Sequence, residues 1–151
     1  MIRASRNRPR ERGNGAIEFA IGFSLLWACF SGVFQYGYSM YVYNSLQTAV
    51  MDGASYASRA NYCASNSNFT NQVKGMVVYG DPAATSGTPT VPGLATSKVT
   101  VTTTPATFPD TVTVRIVNFS VNAMFQSFTF TNKPVVTLMY LGNYQPAGSG
   151  C

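Results

Sequence analysis

AIEFAIGFSLLWACFSGVFQYGYSMYVYNSLQTAVMDGASYASRA, residues 16–60, is the stretch whose reading decides the fold. From Phe19 to Met51 it carries no charged side chain, and it contains no proline. Phe19, Phe23, Trp27, Phe30, Phe34, Tyr38 and Tyr41 recur at steps of four, four, three, four, four and three, close to the helical period. They make an aromatic stripe. About 100° around the same helix, Ala16, Ala20, Ser24, Ala28 and Gly32 recur at every fourth position as a stripe of small residues. Small stripes let helices approach closely in apolar surroundings. The spacing predicts one helix over residues 14–60.

A bilayer core takes about twenty apolar residues, which places the membrane part at about residues 16–40. Beyond it the helix grows more polar through Asn44, Gln47 and Asp52. At about 1.5 Å per residue the whole helix spans roughly 65 to 70 Å, about twice a bilayer core. A plain anchor does not need the second half. With Tyr41, Leu46, Val50 and Met51 at amphipathic spacing, that half reads as a helix leaving the membrane under cover of its own domain. Glu18 stands at the mouth of the apolar run, where a charge is costly and usually functional.

Outward from the helix, the formal net charge of +5 is concentrated at the N-terminus. Arg3, Arg6, Arg8, Arg10 and Arg12 stand against Glu11 alone, and the remainder of the chain is almost neutral. Residues 1–13 therefore read as a basic, unstructured leader containing Pro9. Immediately before an apolar segment such a run holds the N-terminus in the cytoplasm, so nucleic acid is not the expected partner.

Residues 61–151 shift to Ser, Asn, Thr and Val and read as a small α+β domain outside the cytoplasm. Phe69, Val73, Met76 and Val77 have helical spacing, and residues 80–93 form a loop rich in Gly and Pro. Lys98 to Thr104 and Thr111 to Val117 alternate β-branched residues as antiparallel neighbours do, and Pro134 to Leu141 supplies a third strand. Asn122 to Phe130 fits either a short helix or a strand. The fold class is α+β: a long N-terminal helix packed on a small antiparallel sheet. Cys63 and Cys151 bracket this domain and can be joined in an oxidising compartment, worth roughly 4 kcal/mol in the chain-entropy model. Cys29 lies inside the apolar stretch.

The composition speaks against an enzyme. Histidine is absent, which removes the usual general base and the commonest metal ligand. Asp52, Asp81 and Asp110 are scattered, with no CxxC and no phosphate-cradling glycine loop. No cofactor or metal is expected.

Arg12-Gly13-Asn14-Gly15-Ala16-Ile17-Glu18-Phe19 resembles the processing site of prepilins of the Tad (tight adherence) pilus. The helix that follows is similar to that of TadE-like minor pilins, and YGDPAATSGTPTVPGLATSKVTVTT and FPDTVTVRI resemble the β-rich part of that family. The resemblance implies a prepilin peptidase cutting between Gly13 and Asn14, with Glu18 and Phe19 fifth and sixth in the mature chain. It also implies the bacterial inner membrane, with the major Flp-type pilin, other minor pilins and the inner-membrane assembly platform as partners in a type IVc pilus. Ala20, Phe23, Ser24, Trp27, Ala28, Phe30, Gly32 and Phe34 are then the expected packing residues. The freed Asn14 amine, four helical residues or about 6 Å from Glu18, is the expected partner of that carboxylate, within one chain or between neighbours. Two alternatives stand beside it. Leu26-Trp27-Ala28-Cys29 resembles a lipobox with a bulky residue where a small one is wanted, and an uncleaved anchor would carry a sensor or adhesive domain.

Overall fold

No proline stands between Pro9 and Pro82, and the first helix, α1, runs unbroken over Glu11–Arg59. The computed structural model describes residues 11–63, 67–105, 109–123 and 126–145, with the backbone alone at 11–13, 63, 144 and 145. Residues 11–13, within the expected leader, are helical. Adding a residue to an established helix costs little beside nucleating one, and neither Arg12 nor Gly13 blocks it. Inside α1 the hydroxyls of Ser24, Ser45 and Thr48 donate to the carbonyls of Ala20, Tyr41 and Asn44 at 2.8, 3.0 and 3.1 Å. These bonds satisfy polar groups without breaking the helix.

The chain divides into two units, Met1–Gly37 and Tyr38–Cys151. In the first, residues 14–37 form bare helix, exposed except for half-buried Ser31 and Gln35. In the second, Val42, Leu46, Ala49, Val50, Ala54 and Ala57 of α1 are buried along one helical face and join the core. Each such side chain removed from water contributes about 1.5–3 kcal/mol when large and apolar.

The second helix, α2, covers Asn68–Tyr79 and buries Phe69, Val73, Val77 and Val78, while Met76, expected on the same face, is half-buried. It ends at Gly80, whose φ of 74° needs glycine and whose N–H returns to the Met76 carbonyl at 3.0 Å. The following loop packs its carbonyls at Ala84 and Asp81 so close to Gly75 that no Cβ fits there. Asp81 Oδ1 accepts from the Ala83 N–H at 2.8 Å, a local turn bond. Val91 and Leu94 then plug the core.

Among the described residues the strands are, in chain order, β1 Tyr62–Cys63, β2 Val99–Thr104, β3 Thr111–Ile116, β4 Phe119–Asn122, β5 Ser127–Phe130, β6 Val135–Met139 and β7 Tyr144–Gln145. β2, β3 and β6 make an antiparallel sheet in that order. Val112, Val114 and Ile116 of central β3 face the core, alternating with Thr113 and exposed Arg115. β3 stops before Asn118, which adopts φ 50°, a conformation Asn tolerates better than most residues. β4 and β5 form a separate antiparallel pair, with Ser120 and Thr129 hydroxyls 3.0 Å apart on its outer face. Residues 127–130 are therefore strand, which the sequence left undecided.

β1 and β7 pair in parallel beside the end of α1. Tyr140 holds this junction. Its hydroxyl lies 2.7 Å from the Ala60 carbonyl and 2.9 Å from the Asn143 carbonyl, and it accepts from the Tyr62 N–H at 2.9 Å. The Leu141 N–H also donates to the Ser58 carbonyl at 2.7 Å. Carbonyls left unpaired at the C-terminus of α1 thus find donors. Burial pushes the Tyr140 phenol above its ordinary pKa, the bond from the Tyr62 backbone opposing and the Tyr62 phenol adding to the rise.

Candidate processing site and assembly helix

The expected cut, Gly13–Asn14, lies within the described part of α1. Asn14 and Glu18 are exposed one turn apart, and Phe19, next to the carboxylate, is 73% exposed. The arrangement puts the backbone nitrogen that cleavage would free on the same side of the helix as Glu18, as i and i+4 positions require.

Above Glu18 the aromatic stripe is a physical feature. Phe19 stacks on Phe23 with ring centroids 6.1 Å apart, Phe23 on Trp27 at 6.3 Å, and Trp27 meets Phe30 at 6.3 Å. Phe30 and Phe34 continue the exposed row. Ala20, Ser24, Ala28 and Gly32 are likewise exposed, with the Ser24 hydroxyl turned back onto Ala20. A Cβ added at Gly15, Gly22, Gly32 or Gly37 would meet nothing within 4 Å. Among the described residues, then, nothing requires glycine at these positions.

In the described residues one helix, Asn14–Arg59, is long and apolar enough to cross a membrane. Its most apolar part has no residue buried within the described protein, unlike the core helix of a water-soluble domain. Of the cysteines, Cys29 is free and exposed. Cys63 falls in β1, whereas Cys151 lies outside the described residues, and so does the disulfide expected between them. The junction built on Tyr140 was not legible as a site: a tyrosine closing a strand carries no local signal that its hydroxyl will meet a helix end.

Among the described residues, an apolar helix long enough to cross a membrane runs on into a small α+β domain. The family model described as TadE-like protein matches residues 13–55, starting at the glycine of the expected cut and ending inside the covered half of α1. The N-terminal segment is therefore TadE-like. Comparison with curated proteins and with solved structures finds no match.

Proposed function

We propose that this chain is a minor pilin of a Tad (type IVc) pilus, with a structural and not an enzymatic role. The observation that carries the reading is the TadE-like match over residues 13–55, which falls on a helix whose first half is apolar and uncovered. A prepilin peptidase cuts after Gly13, and the basic residues before it keep the leader in the cytoplasm. The mature chain waits in the inner membrane with residues 61–151 outside the cytoplasm, then enters or primes the filament beside the major Flp-type pilin and other minor pilins.

Glu18 and the new Asn14 amine pair in that apolar setting, each removing the other's desolvation cost. Between neighbouring chains the same pair fixes axial register. The small stripe, Ala20, Ser24, Ala28 and Gly32, gives neighbouring helices room, and the aromatic row Phe19, Phe23, Trp27, Phe30 and Phe34 fills the space between them.

N-terminal sequencing of the protein from peptidase-competent membranes tests the reading. The expected start is Asn14. A start at Met1 identifies an uncleaved anchor, and a lipidated Cys29 identifies a lipoprotein. Glu18→Ala in the cleaved protein should stop pilus assembly while leaving the protein in the membrane; unchanged assembly contradicts the pairing.

A further inference from the structure

The second unit opens on an exposed aromatic collar. Tyr38, Met40 and Tyr41 are all well exposed, and the first residue of α1 buried by the domain is Val42. What reaches the helix at this level is the β4–β5 hairpin. Phe130 of β5 meets Tyr43 with ring centroids 5.4 Å apart, and Phe119 and Val121 of β4 share the core cluster with Val42. The cross-strand row Phe119–Phe130 is covered, whereas in the next row Val121 is buried and Phe128 is left 38% exposed. An aromatic ring thus stands uncovered one strand row from Tyr43.

Charge points the same way. Residues 116–132, which contain the whole hairpin, carry no charged side chain; no Asp or Glu occurs from Thr111 to Cys151, and exposed Lys133 follows at the base of β5. Aromatic rings free of nearby carboxylates, with a lysine beside them, match the headgroup level of an anionic membrane. Among the described residues β4 and β5 form a two-stranded sheet that no other strand extends. Unpaired backbone groups are excluded from hydrocarbon, so such a hairpin goes no deeper than the headgroups.

We propose that the β4–β5 hairpin docks on the lipid surface beside the point where α1 leaves the bilayer, with Phe128 and Tyr41 at headgroup depth. The contact holds the domain against the membrane before assembly and is broken when the subunit is withdrawn. This inference rests on the reading of residues 16–40 as the membrane span.

The test uses the full chain reconstituted in vesicles of phosphatidylcholine and phosphatidylglycerol, with lipids brominated either near the carbonyl end or near the middle of the acyl chain. Native Trp27 reports the span. Phe128→Trp in a Trp27→Phe background reports the hairpin. Ser86→Trp in the same background is the exposed control, on the loop that follows Val77 and Val78. Val77 packs on Gly53, ten residues or about 15 Å along the helix from Tyr43. The expected result is strong quenching of Trp27 by mid-chain bromine, quenching of the tryptophan at 128 by carbonyl-end bromine, and none at 86. If Trp27 is quenched while positions 128 and 86 behave alike, the hairpin docking is wrong and the span stands. If Trp27 itself escapes quenching, the span reading fails and the docking falls with it.

Discussion

Residues 14–37 and residues 38–59 belong to one helix and have similar helix-forming composition, yet each meets a different fate in the folded chain. In the second stretch Leu46 and Val50 are 0% exposed, and Gly53 sits where any Cβ would run into Val77 of α2. In the first, Trp27 is 56% exposed and a Cβ on Gly32 would touch nothing. Glycine therefore has two meanings along α1. At Gly53 it answers to this chain, and at Gly32, where a Cβ would meet nothing, the proposed function assigns it to neighbouring helices. The difference teaches that the covered half carries the fold, and under the proposed function the uncovered half carries the assembly.

The widest gap between the halves should come from trimming leucines. Leu46→Ala should destabilise the domain by about 2–5 kcal/mol in denaturant unfolding of the full chain in detergent, because the cavity it leaves is fully enclosed. Leu25→Ala, at an exposed position, should change the same unfolding free energy by less than about 0.5 kcal/mol. Equal losses would erase the distinction. Glycine comes next: Gly53→Ala should cost about 1–3 kcal/mol through overpacking against Val77, while Gly32→Ala leaves the melting of the domain unchanged.

A smaller effect belongs to the Tyr140 junction. Tyr140→Phe should cost about 1 kcal/mol, since the carbonyls of Ala60 and Asn143 lose a donor at a half-buried, hydratable site. Its pH dependence has a definite sign. The folded phenol titrates above the ordinary 10.0, so the unfolded chain gives up this proton first. The contribution is complete below pH 10 and is lost as pH rises from there through the folded pKa. The Phe variant should lack that alkaline slope in chemical-denaturation series; an identical slope would show that the phenol does not titrate with folding.

Much of this division could be read in the residues, though not its boundary. The valines at 112 and 114 with Ile116 alternate strictly against Thr113 and Arg115, and the spacing of Phe69, Val73 and Val77 is helical, so β3 and α2 followed from period alone. Residues 122–130 place aromatics at mixed intervals that satisfy both periods, and pairing with Phe119–Asn122 is what makes residues 127–130 strand. The two-residue strands β1 and β7 have no pattern of their own and exist through the hydrogen bonds around Tyr140. Along α1, polarity rises gradually past Gln35, so no residue type announces that cover begins at Val42. The proposed processing motif is a local pattern of residues 12–19; the helical state of residues 11–13 was not legible, because a helix extends past a motif without regard to it.

The central claim, that the bare half of α1 packs against neighbouring helices, is tested most directly by Gly32→Leu. Three quantities are measured on one variant: melting of the domain, insertion into the inner membrane, and assembly into pili. The account predicts unchanged melting and insertion with assembly lost, since a leucine on the small stripe blocks close helix approach without touching the fold. Pili assembled at the normal level would contradict it, as would loss of insertion and assembly together, which marks residues 14–37 as a plain anchor.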